Sequence, residues 1–361
     1  MPFISRLKEL GWTVEAAYRD NSADKQGLDT SALDSVYEVP FSRSPYSLDN
    51  VRAYSVLKKI IDSNDYDIIH CHTPMGAVVT RLAAKNARKK GTKVIYTAHG
   101  FHFYQGASAF SWKVFYQIEK YLSKYTDCII TINREDYKLA SERFTDCKKI
   151  VHINGVGVDL SRFKPVSEEE KQALRREYGY PDDCFMMIYP ADFCDRKNQL
   201  MLLEAVREVY AKHKNIRLLL PGLTTYADGS RQFIEQNGLG EIVEIMDYRR
   251  DIYNLDALCD LSVSSSKQEG LPINLIEAMA LGNPIVATDV RGNNDLVCDG
   301  VNGYLVPLGD SHKMAERIIT LIENPELIKA FGEKSAALVK GYGCGEVNEA
   351  LLNVYKSVIG G

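Results

Sequence analysis

The chain has 361 residues, 45% of them hydrophobic and 25% charged, enough for two domains of ordinary size, each with its own core. That balance excludes a disordered or collagen-like chain, and no stretch approaches the roughly 18 consecutive apolar residues of a membrane-spanning helix. The net charge of −4 is unevenly divided: residues 1–160 hold 22 Lys and Arg against 18 Asp and Glu, a charge of +4, which leaves −8 for the remainder. Different partners are expected for the two halves, and neither half is basic enough for nucleic acid. The eight cysteines, at 71, 128, 147, 184, 194, 259, 298 and 344, show no CxxC spacing. They read as reduced thiols in the cytosol, not as a disulfide framework or a zinc site, and no secretory signal pattern is visible in the first residues.

In chain order, the sequence opens on a helical pattern in which Phe3, Ile4, Leu7 and Leu10 share a face and Gly11 fits the C′ position. β-like runs follow at 13–17, 36–39, 67–71, 93–97, 128–132 and 150–153, with helical patterns at 48–63, 75–90, 111–125 and 134–143 between most of them. The second half repeats the scheme with runs at 186–189, 216–220, 242–246, 260–264, 284–288 and 303–306. Such alternation predicts parallel sheets covered by helices on both faces. Twelve strands exceed one comfortable open sheet, so two doubly wound α/β domains are expected, 1–160 and 161–340. Gly155, Gly157 and Pro165 interrupt the pattern between them. Residues 341–361 read as a C-terminal helix packing back on the first domain. A doubly wound domain ordinarily opens on a strand and a turn; neither precedes the first helix, and about 20 residues of strand and Gly-rich turn are expected to be lacking there.

The segment Glu269-Gly-Leu-Pro-Ile-Asn-Leu-Ile-Glu277-Ala-Met-Ala-Leu-Gly282-Asn-Pro284 carries the strongest site signal. Gly270 and Pro272 mark a loop turning into a helix, and Gly282 with Pro284 closes that helix. The strand at 260–264 runs into this loop, which therefore sits where α/β sheets bind ligands. Free backbone N–H groups over Leu271, Pro272, Ile273 and Asn274 and a positive helix end make a diphosphate cradle. Glu277, further along the helix, is placed to accept hydrogen bonds from a ribose diol, and Glu269 faces another part of the same ligand. Arg196 and Lys197 follow the strand at 186–189; two adjacent cations there can neutralise a leaving diphosphate.

These residues resemble the retaining nucleotide-sugar glycosyltransferases of family 4, which have the GT-B fold of two Rossmann-like domains facing across a cleft. The E-x7-E spacing of Glu269 and Glu277 carries the resemblance. So do Ile69-His-Cys-His-Thr-Pro74, Tyr96-Thr-Ala-His99-Gly, Asn154-Gly-Val-Gly-Val-Asp159 with Phe163, Arg196-Lys197-Asn198-Gln199 and Asn302-Gly-Tyr-Leu-Val306, all in the family's order. The chain is similar to bacterial exopolysaccharide and capsule glycosyltransferases. The resemblance implies that Glu277 holds the ribose, that Glu269 contacts donor-sugar hydroxyls, and that the amides after Gly270 hold phosphate and sugar. It further implies that His99 faces the donor sugar across the cleft, that the base lies against the loop carrying Arg249, and that no metal or other cofactor takes part. The family often has an Arg five residues before the Lys; Asp192 stands there, and Arg196 is expected to substitute.

The expected activity is a retaining, metal-independent transfer from a nucleotide sugar, a UDP-sugar, to a glycan or polyprenyl-diphosphate-linked acceptor in surface polysaccharide synthesis. The alternatives are a nucleotide-sugar 2-epimerase and a nucleotide-sugar-binding homologue without turnover. Ten of the 35 aromatic residues lie between Tyr96 and Tyr125, a segment suited to a lipid-linked acceptor. Arg81, Lys85 and Lys89 at helical spacing predict a basic face for anionic lipid on the inner side of a cell membrane. His70 and His72 alternate at a strand end and are expected on opposite faces.

Overall fold

The computed structural model describes residues 2–20 and 29–360. The chain forms two compact units, Met1–Gly157 with Cys344–Gly361, and Val158–Gly343. In the first, α1 (Pro2–Glu9) is closed by Gly11 at a φ of +79°. Strands β1 (Glu15–Tyr18) and β2 (Ser35–Glu38) pair in parallel with each other. After them come α2 (Asp49–Asp62), β3 (Ile68–Cys71), α3 (Pro74–Ala83), α4 (Lys85–Lys89), β4 (Lys93–Ala98), α5 (Ala109–Ser123), β5 (Cys128–Thr131), α6 (Arg134–Arg143) and β6 (Lys149–His152). Strands β3 to β6 make a parallel sheet in that order, which β1 and β2 do not join among the described residues. β1 and β2 are half-exposed, whereas every residue of β5 is buried.

The helix expected at 75–90 is interrupted at Ala84, so 81, 85 and 89 do not lie along one continuous face. Arg81 in particular is fully buried. It is held by Glu119 through a double hydrogen bond of 2.8 and 3.0 Å and lies 4.3 Å over the Tyr96 ring. Arg88 is likewise taken by Asp127. The basic face expected there does not exist, because a guanidinium matched to a buried carboxylate is more stable inside than either charge alone. The aromatic segment also turns largely inward. Phe101 and Phe103 are buried, stacked at 4.8 Å, and pack with Tyr116 and Phe144.

The second unit runs α7 (Glu168–Glu177), β7 (Phe185–Ile188), α8 (Gln199–Lys212), β8 (Ile216–Pro221), α9 (Asp228–Gln236), β9 (Val243–Met246) and α10 (Ile252–Ala257). It continues through β10 (Leu261–Ser264), α11 (Ile273–Ala280), β11 (Ile285–Thr288), α12 (Asn293–Leu296), β12 (Gly303–Val306), α13 (Ser311–Ile322) and α14 (Pro325–Leu338). Its six strands are all parallel in the order β12-β11-β10-β7-β8-β9. Side chains alternate between two cores with period two. Met187, Leu218 and Val263 face one, and Met186, Ile188 and Leu219 face the other. The last helix, α15 (Cys344–Ile359), belongs to the first unit, where Leu352, Tyr355 and Val358 pack with Leu7, Ile95 and Ile130. No helix among the described residues is long and apolar enough to cross a membrane.

Candidate functional site

In the second unit the connections from β7 lead away on one side and those from β10 on the other, so β7 and β10 flank the point where strand order reverses. Loops leaving the carboxyl ends of two such strands diverge and leave a crevice for a ligand. The loop after β7 carries Arg196 and Lys197, and the loop after β10 carries Glu269 and Gly270.

The two loops meet at Glu269. Arg196 Nη1 donates to its Oε2 at 2.9 Å and Lys197 Nζ to its Oε1 at 2.7 Å. Ser266 Oγ also donates to Oε1, at 2.6 Å. A carboxylate only accepts, so the Ser266 oxygen is left to accept from Tyr189 OH at 2.7 Å. The Lys197 carbonyl is a second acceptor for Tyr189, at 3.1 Å. Tyr189, Ser265 and Ser266 are buried. Ser265 Oγ lies 3.1 Å from the Lys197 carbonyl and 2.9 Å from that of Asn198. Asn198 has a φ of +53°, a left-handed turn that starts α8 and that Asn tolerates better than most residues. Burial alone would raise the Glu269 carboxyl, but Lys197 and then Arg196 outweigh it and hold Glu269 below its ordinary value.

From Gly270 the chain enters α11 with Pro272 as its N-cap and Gly282 just past its end at a φ of +78°. Pro272 has no N–H. The backbone donors of Leu271, Ile273 and Asn274 meet no acceptor among the described residues, as at any helix start. Asn274 Nδ2 donates to the Pro190 carbonyl at 3.1 Å, tying the first turn of α11 to the end of β7. Glu277 is half-buried one turn further on. Burial pushes its carboxyl up to about 7, opposed only in part by the Arg162 charge.

The other expected residues lie as follows. Arg249, after β9, donates from Nε to Asp251 at 2.8 Å and pairs with it again through Nη2. Asp192 accepts from the Leu223 N–H at 3.0 Å and so joins the loop after β7 to that after β8. His99 belongs to the first unit and follows β4, with Gly100 at a φ of +132°. Its Nε2 is 3.1 Å from His72 Nδ1, and both histidines are exposed. The rings of His70 and His72 are 4.2 Å apart, so they do not point to opposite faces. β3 stops at Cys71, so the strand alternation does not extend to His72, and Thr73 at a φ of +60° turns the chain just after it.

Sequence reasoning missed Tyr189, Ser265 and Ser266, which lie just past the ends of β7 and β10. It also missed Arg291 and Gly292. Arg291 Nε donates to the Glu269 carbonyl at 2.9 Å, and the Glu269 N–H donates to the Arg291 carbonyl at 3.2 Å. A Cβ on Gly292, at a φ of +84°, would meet both Glu269 Cβ and the Gly270 carbonyl at 2.9 Å. The Arg-Gly pair after β11 was the only available signal. Gly292→Ala is therefore expected to lower stability by about 2–4 kcal/mol, from left-handed strain and overpacking together. Thermal unfolding with an unchanged midpoint would contradict this.

Comparison with known proteins adds the following. The description "Glycosyl transferases group 1" matches residues 170–337, and "Glycosyl transferase 4-like" matches residues 1–133. EpsD of Bacillus subtilis, provisionally named a glycosyltransferase, is 39% identical over 357 residues, covering 99% of this chain and 92% of that one. A UDP-Gal:alpha-D-GlcNAc-diphosphoundecaprenol alpha-1,3-galactosyltransferase of Escherichia coli is 26% identical, covering 75% of this chain and 70% of the relative. Among solved structures, HepE of Anabaena in complex with UDP and glucose superposes with a TM-score of 0.81 at 22% identity, covering 98% and 94%. That likeness shows the GT-B fold.

Proposed function

The chain belongs to the group 1, family 4 glycosyltransferases, and from that premise we propose that it moves a sugar from a UDP-sugar to a hydroxyl of a polyprenyl-diphosphate-linked glycan in surface polysaccharide synthesis, with retention and without a metal. The observation that supports this is the convergence of Arg196 and Lys197 on Glu269 beside the unpaired N–H groups at the start of α11. A diphosphate carries more negative charge as it leaves, and fixed cations and amides aimed at it lower the barrier. Glu277 accepts from the ribose diol. Glu269 exchanges part of its grip on the two cations for sugar hydroxyls when donor binds. His99 orients the sugar without attacking it, and the loop of Arg249 borders the base. The departing phosphate oxygen takes the acceptor's proton as the new glycosidic bond forms. The first unit binds the acceptor, in peripheral contact with an anionic membrane. The 2-epimerase alternative has no support in the family membership.

A thermal-shift screen of UDP, UDP-sugars and GDP-sugars tests the donor. A UDP-sugar at 100 times its dissociation constant should stabilise the protein by about 2.7 kcal/mol, and transfer to a lipid-linked acceptor should persist in EDTA. No shift with any nucleotide would end this reading, and loss of transfer in EDTA would end its metal-independent part.

A further inference from the structure

We propose that His72 is a positioning residue for His99: it accepts a hydrogen bond from His99 Nε2–H and so leaves Nδ1 as the free, accepting nitrogen of that ring. Strands β3 and β4 run side by side, with His70 opposite Ile95 and Cys71 opposite Tyr96. His72 and His99 therefore leave neighbouring carboxyl ends of one parallel sheet, the edge at which such sheets present ligand-binding groups. There His72 Nδ1 lies 3.1 Å from His99 Nε2. The remaining nitrogen of each ring meets no partner among the described residues.

A hydrogen bond between two neutral imidazoles needs one N–H and one lone pair, so the tautomers of the two rings are tied. Were His72 Nδ1 the donor, both rings would hold their proton on Nδ1, the less favoured form of a histidine side chain. With His99 Nε2–H as the donor, His72 accepts at Nδ1 and carries its own proton on Nε2, and both rings are in the favoured form. Neither ring gains a second proton near neutral pH. Desolvation of the ring nitrogens, with the His99 charge adding to it, pushes His72 down to about 4, and desolvation lowers His99 as well. His72 is itself held. The His70 ring lies 4.2 Å from it, tilted by 36°. His70 has no nitrogen to offer, because its Nδ1 is 2.6 Å from Tyr355 OH and its Nε2 2.7 Å from Thr97 Oγ1. Tyr355 comes from α15 and is packed edge-on to Phe3 at 5.5 Å and stacked on Trp12 at 6.0 Å. The layer beneath thus uses both nitrogens of one histidine and gives the next a fixed floor, so the His72 lone pair stays aimed at His99. A group whose partner is set beforehand loses less entropy when a ligand arrives. That His99 meets the donor sugar rests on the function proposed above; its tautomer does not. With Nδ1 as an acceptor, His99 selects a sugar hydroxyl over an ether or carbonyl oxygen.

Long-range proton–nitrogen NMR correlation spectra of the histidine side chains in the full chain test this. In the wild type His99 Nε2 should be protonated and Nδ1 unprotonated. In His72→Ala both should move to the averaged positions of a tautomer mixture. His72→Asn, whose amide oxygen stands near the place of Nδ1, should restore the wild-type pattern; His72→Gln, which reaches to the place of Nε2, should not. UDP should bind His72→Ala as it binds the wild type, whereas UDP-glucose should bind about 10-fold more weakly, the loss of one hydrogen bond, with recovery in His72→Asn. A His99 ring protonated on Nδ1 in the wild type, or a His99 tautomer unchanged in His72→Ala, overturns the proposal. If neither nucleotide binds the wild type, the donor reading fails, and the spectra still decide the role of His72.

Discussion

Lys197→Ala should reduce kcat by about 100- to 1,000-fold, the range seen when one fixed donor to a developing negative charge is removed. Lys197 is the better placed of the two cations: its side chain is 14% exposed against 45% for Arg196. A less hydrated charge acts through a lower effective dielectric. Its carbonyl is also gripped by Ser265 and Tyr189, so the residue cannot drift from its aim. Removal should cost stability too, because Glu269 is left buried with Arg196 as its one ion-pair partner among the described residues; about 1–3 kcal/mol is expected for an under-satisfied buried charge. The two effects separate by measurement. If Lys197→Ala unfolds earlier but the folded enzyme turns over normally, Lys197 only neutralises Glu269 and the proposed chemistry fails. Lys197→Arg should keep the fold and recover part of the rate, since charge is kept while the point-like ammonium is replaced by a planar fork.

Glu277→Gln should do the reverse to stability. The free carboxyl is raised to about 7 in the folded chain against roughly 4.3 in an unfolded one. A group with a raised folded value contributes nothing unfavourable below the unfolded pKa, and costs stability as pH rises between the two values. The wild type should therefore lose up to about 4 kcal/mol relative to Glu277→Gln between pH 4.5 and 7, with no further change above that. Asp256, buried with neither carboxyl oxygen hydrogen-bonded, is pushed up by burial and then by the Glu277 charge, so it adds a slope of the same sign. Arg162 opposes the Glu277 shift. Comparing the two proteins across pH reports Glu277 together with its push on Asp256, and equal unfolding midpoints at pH 8 would refute the argument. Donor binding should show the matching sign. A ribose diol donates best to a carboxylate, so UDP-glucose should bind more tightly as pH rises from 6 to 8 in the wild type, and the pH dependence should vanish in Glu277→Gln. The stabilised variant should be the weaker binder. A destabilised carboxylate kept at a helix start is the ordinary cost of a binding site.

The local parts of this site were legible early. Gly270, Pro272, Gly282 and Pro284 bound α11 because glycine and proline act on their own backbone, whatever surrounds them. The strand runs read from the sequence all form within two residues of their expected ends, because apolar periodicity is what burial in a sheet requires. The helix at 75–90 failed at Ala84, where no glycine or proline announces the break. The positions of His70 and His72 failed for a similar reason: alternation holds only while the strand lasts, and β3 ends one residue too soon.

Sequence alone determined which segments become strands and helices and which loop and following helix carry Glu269 and Glu277, since those depend on residues a few positions apart. The tertiary structure decided the partners. Arg81 finds Glu119 38 residues away, and Lys197 finds Glu269 72 residues away. Whether a charge ends up inside against a counter-charge or outside in water depends on strand order and on what packs over it, and a solvated lysine and a buried arginine have the same helical spacing.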